Sequence, residues 1–202
     1  MRKIFLSVLM LFCLLPLMST SAQATPDYKS LTVYTALPES ELPTYFSQFE
    51  KDTGIKIQYV RLSAGELLAR VRAEKNNPQA TVWFGGSYDN FVPAISEGLL
   101  EAYQSPELVN IPKVYWDVKG YANPFYVGAI GFACNTDWFK KKGLAYPTSW
   151  DDLLKPEFKG QISMAHPSTS GTSYTILATI VQMRGEEATW KYFSALNQNI
   201  RQ

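Results

Sequence analysis

The 202-residue chain carries 19 basic and 18 acidic residues, and 46% of it is hydrophobic. That balance excludes a strongly basic nucleic-acid binder and a polybasic membrane-surface protein, and the apolar content suits an ordinary packed core.

The first residues speak to export. Met1-Arg2-Lys3 is followed by an almost unbroken apolar run over residues 4–18, then by the small residues STSAQA. This is the layout of a secretory signal peptide, and the run is short for a membrane span. Residues 1–24 are therefore expected to be removed after Ala22-Gln23-Ala24, giving an exported protein that starts near Thr25. Cys13 lacks the flanking small residues of a lipid-attachment site. Without Arg2 and Lys3 the 19 basic residues become 17, against 18 acidic, and Cys134 is the one cysteine left. A single cysteine closes no internal disulfide, so the core has to hold the fold.

The next segments alternate strand and helix. Residues 31–36 (LTVYTA) read as a first strand, and Leu42, Tyr45, Phe46 and Phe49 then recur at helical spacing up to Gly54. A second strand is expected over 55–60. Ser63 and Glu66 have capping-box spacing ahead of a helix with Leu67, Leu68 and Val71 on its apolar stripe. ATVWFGGS is a short strand running into Gly85-Gly86, and the helix after it ends at Gly98. Three βα units in succession predict an α/β fold with a mostly parallel sheet.

After a proline-punctuated stretch, residues 123–135 (NPFYVGAIGFACN) read as a strand crossing into a second lobe. TSWDDLLKPEFKG reads as a short capped helix and turn, and QISMA (161–165) as another strand. A helix with Tyr174, Ile176, Leu177, Ile180 and Val181 follows, then a last one from Glu186 to about Asn199 carrying Trp190, Phe193 and Leu196. A second βαβ layer would be one strand short at Gln202, so the second lobe and its return crossover are expected to be incomplete.

Ligands in α/β folds collect where strand ends meet helix N-termini. The stretch AHPSTSGTSYT (165–175) is such a junction, with six serine and threonine residues and the only histidine, His166. Helix N-terminal amides and the helix dipole favour an anion there, while one hydroxyl is expected simply to cap the helix. A hydrolase reading needs Ser170 activated by His166, yet no nucleophile-elbow motif surrounds Ser170 and nothing orients the histidine. One His, one Cys and no clustered carboxylates give no metal-ligand spacing. Tyrosine ligation of iron stays open, Tyr126 being the residue to watch. Trp83, Tyr88, Tyr115 and Trp116 are expected mostly in the core.

LTVYTALPESELPTYFSQFEKDTGIKIQYV, GELLARVRAEKNNPQATVWFGGS and TSWDDLLKPEFKGQISMAHPSTSGTSYT together resemble the periplasmic binding proteins of ABC importers, in particular their ferric iron, phosphonate and hexose-phosphate branch. The resemblance implies a two-lobe, type II periplasmic-binding-protein fold: lobe one over 25–123, and the crossover with a partial lobe two over 124–202. It implies no catalysis and no cofactor, but a monomer that passes an anionic ligand to an ABC permease; a sensing module of the same fold is the variant reading. Carried over residue by residue, Thr35, Ala36, Glu39, Gly85 and Gly86 would contact ligand from lobe one. Ser168, Thr169, Ser170, Gly171, Thr172 and Ser173 would hold the anion from lobe two. Iron-binding relatives carry a His or Glu just after the first strand and a later tyrosine pair; ALPESE has no His, and the pair region would lie past Gln202. The resemblance therefore favours a phosphorylated sugar or a phosphonate as ligand, with ferric iron as the alternative.

Overall fold

A computed structural model describes residues 29–202; the export segment expected over 1–24 lies outside them. Strands β1 (Ser30–Thr35), β2 (Lys56–Arg61) and β3 (Val82–Phe84) form a parallel sheet in the order β2-β1-β3. Ser30 aligns with Lys56 and Thr35 with Arg61, while Val33 aligns with Val82. The central strand is the most buried, with Val33, Tyr34 and Thr35 each at most 3% exposed.

Helices α1 (Leu42–Thr53), α2 (Ala64–Ala73) and α3 (Tyr88–Ser96) connect and cover these strands. Consecutive strand residues face opposite layers. Phe84 meets Phe46 of α1 at 5.6 Å between ring centroids, and Trp83 meets Phe91 of α3 at 4.6 Å. Local chemistry sets the helix ends. Gly54 closes α1 with φ 73°, a left-handed conformation that costs other residues strain. At the start of α2, the Glu66 carboxylate accepts from the Ser63 amide at 3.0 Å and hydroxyl at 2.6 Å, the expected capping box.

Residues 123–135 are not a strand. They have no ladder partner among the described residues; a Cβ built on Gly128 or Gly131 would meet nothing within 4 Å, and Val127 is 68% exposed. A strand exists only through its neighbours, and β-rich composition cannot supply them. Helix α4 (Thr136–Lys142) follows, capped by the Asn135 side chain, which accepts from Trp138 N, and ended by Gly143 at φ 63°.

Helices α5 (Gly171–Arg184) and α6 (Glu186–Leu196) pack on each other over a second core of Ile180, Tyr192 and Leu196. Trp150, Leu153, Ile162 and Ile200 join that core. Tyr192 faces inward and Trp190 does not: Thr189, Tyr192 and Leu196 share the buried stripe and Trp190 is 52% exposed. Burial pushes the Tyr192 hydroxyl up to about 12, and it donates to the Trp150 carbonyl at 2.8 Å. α6 ends at Leu196 rather than near Asn199. Asn199 is buried, and its Nδ2 donates to the carbonyls of Leu153 and Lys155. The chain beyond it runs parallel to residues 162–164 through a bridge between Ile162 and Ile200 and a Met164 N–Gln202 O bond of 2.7 Å. The strand expected over 161–165 is thus present as one short parallel pairing.

Candidate functional site

The predicted ligand residues stand at the ends of β1 and β3 and at the N-terminus of α5, and the starts of α2, α3 and α5 converge. A Cβ built on Gly171 would lie 3.0 Å from Ala64 Cβ of α2, 3.0 Å from Asn90 Nδ2 of α3 and 3.1 Å from Ser87 Oγ at the α3 cap. The Gly65 amide donates to the Thr169 carbonyl at 2.9 Å, and the Thr175 hydroxyl donates to Asp89 at 2.7 Å. On the β1 side, a Cβ on Gly86 would lie 3.6 Å from Ala36 Cβ and 3.5 Å from Ala64 Cβ. Ala36, Gly86 and Gly171 are therefore gathered around Ala64.

The hydroxyl-rich turn divides into local work and free donors. His166 organises the turn: its carbonyl accepts from the amides of Thr169 and Ser170 and from the Thr169 hydroxyl. Its Nδ1 accepts from the Ser168 amide at 3.1 Å and lies 2.7 Å from the Ser168 hydroxyl. Ser170 Oγ accepts from the Ser173 amide at 3.3 Å, an N-cap bond. So the histidine pairs with Ser168 rather than with Ser170, the nucleophile of the hydrolase reading. The amides of Gly171 and Thr172 have no acceptor among the described residues, and the Thr172 hydroxyl is exposed with no partner there. Gly171 is itself buried. An unpaired buried N–H is costly, and helix N-terminal donors are where an anion or polar ligand atom fits.

The other predicted positions fall into place unevenly. Thr35 is fully buried, and its Oγ1 accepts from the Leu37 amide at 3.2 Å, so its hydroxyl shapes the β1–α1 loop from beneath. Thr35→Val keeps the shape and removes the acceptor. It is expected to destabilise the fold by about 1–3 kcal/mol in a urea titration, since the buried Leu37 N–H loses its partner. Glu39 lies exposed on that loop. Gly85 and Gly86 hold φ 81° and 108°, and a Cβ on Gly85 would strike the Leu37 side chain at 2.7 Å. The Gly86 amide is already engaged: it donates to the Tyr126 hydroxyl at 3.2 Å, which donates back to the Gly86 carbonyl at 3.1 Å. Tyr126 thus bonds backbone rather than standing free as a metal ligand. An open cavity of about 640 Å³ beside the glycine pair is lined by Trp83, Phe84, Phe91 and Tyr126 but by none of residues 168–173.

Sequence reasoning missed Gly65, Ser87 and the Asp89–Thr175 link. A glycine in the first turn of a helix, where alanine is favoured, was the available signal for Gly65. Glu66, one residue on, has its carboxyl held below the ordinary range, first by the Ser63 hydroxyl and amide and further by the charge of Arg61.

Residues 87–202 match the family described as bacterial extracellular solute-binding protein. A Haemophilus influenzae protein is 37% identical over 177 residues, 85% of this chain and 51% of its own. The Fe(3+)-binding periplasmic protein of Serratia marcescens is 25% identical over 91% of this chain and 53% of its own. Among solved structures, the periplasmic binding protein AfuA from Actinobacillus pleuropneumoniae, with fructose-6-phosphate bound, superposes with a TM-score of 0.82 at 39% identity. That match covers 86% of this chain and 56% of AfuA. A ferric binding protein from Campylobacter jejuni, 23% identical with a TM-score of 0.62, shares the fold. The chain spans about half the length of the relatives it matches. Its parallel sheet, the meeting of α5 with α2 and α3, and these matches place it in a family of substrate-binding proteins with a type II periplasmic-binding-protein fold: the chain belongs to the bacterial extracellular solute-binding proteins.

Proposed function

We propose that the chain binds a phosphorylated small molecule, a sugar phosphate or a phosphonate, and serves an ABC importer as its periplasmic solute-binding component. The observation that carries this reading is the buried Gly171 amide, which lacks a protein acceptor beside the equally free Thr172 amide. These donors sit where the start of α5 faces the starts of α2 and α3, so the dipoles of three helices favour a negative group there. The bound fructose-6-phosphate of AfuA, the 39% identical relative, supports the same ligand class. In this reading residues 1–24 direct export and are removed, residues 25–123 form lobe one, and residues 124–202 form the crossover and the lobe-two portion. The ligand is held between the two as a monomer and passed to a membrane permease.

Ligand contacts are assigned first to Gly171, Thr172 and Ser173, with Ser168, Thr169 and Ser170 shaping the turn. From the other side come Ala36, Gly85 and Gly86, with Thr35 below and Glu39 at the rim. Calorimetric titration with fructose-6-phosphate, 2-aminoethylphosphonate and ferric ion tests the reading. Heat is expected from at least one of the phosphorus compounds. A response to ferric ion alone, or to none of the three, would refute the ligand class.

A further inference from the structure

The donors assigned so far are neutral, and the only charged residue among the sequence-predicted contacts, Glu39, is acidic. Hydrogen bonds from a cation to a phosphoryl group are shorter and about twice as strong as neutral ones. The basic residues near the sheet are mostly committed elsewhere. Lys56, at the start of β2, pairs with Glu50. Arg70 and Arg72, near the C-terminal end of α2, pair with Glu74 and Glu97, and Lys75 donates to the Glu97 carbonyl.

Arg61 differs in place and in partners. It is the last residue of β2, aligned with Thr35, and therefore stands at the end of the sheet where the predicted loops begin. Its Nε donates to the Leu37 carbonyl at 3.3 Å, which ties the guanidinium to the β1–α1 loop. Among the described residues neither Nη atom makes a hydrogen bond or an ion pair. Two residues on, Ser63 caps α2, and Gly65 of that helix bonds Thr169 of the hydroxyl-rich turn. Of the acids on these segments, Glu39 and Glu41 stand ahead of α1 and Glu66 in the first turn of α2. Glu66 accepts from Ser63 and also feels the charge of Arg61 without forming an ion pair with it, and Glu39 and Glu41 make no ion pair among the described residues.

We propose that Arg61 is the specificity-determining cation of this site, its Nη atoms taking the oxygens of a phosphoryl dianion held at the start of α5. The proposal rests on the functional reading above and deepens it by naming the charge state selected. A guanidinium presents paired donors that match phosphoryl oxygens, and here one edge of the group is already fixed by Leu37. The site therefore discriminates a doubly charged phosphomonoester or phosphonate from its singly charged form and from the unphosphorylated molecule.

Wild type, Arg61→Gln and Arg61→Lys are titrated with fructose-6-phosphate and with 2-aminoethylphosphonate at pH 5.5 and 7.5. Phosphomonoesters gain their second charge near pH 6, so wild-type affinity for fructose-6-phosphate is expected to rise between these points. Arg61→Gln should bind roughly 10- to 150-fold more weakly at pH 7.5 and lose most of that rise, the range expected for losing one charged hydrogen-bond donor. Arg61→Lys should keep the rise at reduced affinity. The thermal midpoint should not move in either variant, because the side chain is exposed. Wild-type binding that Arg61→Gln leaves unchanged, with the same rise, overturns the role of Arg61 alone. Wild type that binds neither phosphorus compound overturns the functional reading and this proposal with it.

Discussion

Replacing Gly65 with alanine is expected to weaken ligand binding by roughly 5- to 150-fold while leaving thermal stability unchanged or slightly raised. Gly65 lies in the first turn of α2, and its φ is one that any residue can adopt. Alanine there is favoured over glycine by about 0.5–1 kcal/mol on backbone entropy alone. The obstacle is the hydroxyl-rich turn: a Cβ on Gly65 would collide with the Ser168 carbonyl and lie 2.9 Å from that of Thr169. Both neighbours are backbone, so no side chain can swing aside. The first layer keeps its own fold, and the turn carrying Gly171 and Thr172 is pushed away from α2 and α3. Overpacking of this kind costs about 1–3 kcal/mol, and here it falls on the contact between α2 and the hydroxyl-rich turn. Calorimetry beside a thermal melt separates the two effects. A variant that loses stability and affinity together would show that the contact is part of the folding core instead.

Two residues further along the same helix the sign reverses. Leu67 is fully buried against the sheet. Leu67→Ala is expected to lower stability by about 2–5 kcal/mol through lost burial and the cavity left behind. Urea unfolding reads this directly, with the midpoint falling and the slope unchanged. The protein that remains folded should bind ligand with near-normal affinity, because Leu67 is none of the assigned ligand contacts. One helix thus carries a position that serves binding and a position that serves the core, and the two variants separate them.

The parts of the fold that were legible in the sequence are those governed by neighbours along the chain. Alternation in LTVYTA, the Ser63–Glu66 box and the left-handed Gly54 each act within a few residues, and each appears where expected. The α/β class followed from stringing such signals together, and the solute-binding family from the resemblance of the longer segments to known binding proteins. Residues 123–135 misled because β-rich composition does not supply a partner, and pairing is a long-range property. Helix α4 was passed over although Asn135 and Gly143 mark both its ends, since seven residues hold too few turns for a periodic stripe. On α6, Trp190 looked like core by type, but the helical stripe through Thr189, Tyr192 and Leu196 sets which face is buried.

The candidate site shows the same division. AHPSTSGTSYT announced a helix start rich in donors, and the structure puts one there. Which hydroxyls are spent was not readable: Ser168 and Thr169 bond His166, Ser170 caps the helix and Thr175 bonds Asp89, leaving the hydroxyls of Thr172, Ser173 and Tyr174 and two amides without a partner among the described residues. Thr35 looked like a ligand contact from its place after β1, yet its burial makes it a support for the loop. The gathering of Ala64, Gly86 and Gly171 depends on three segments far apart in sequence, and only the folded chain brings them together.

The claim that a phosphoryl ligand docks on the start of α5 is tested most directly by following the backbone amide signals of an isotope-labelled sample during titration with fructose-6-phosphate. The Gly171 and Thr172 resonances should shift strongly and saturate with the calorimetric affinity, with smaller shifts at Gly65 and Gly86. Saturable binding that moves other amides and leaves Gly171 and Thr172 in place would contradict the account.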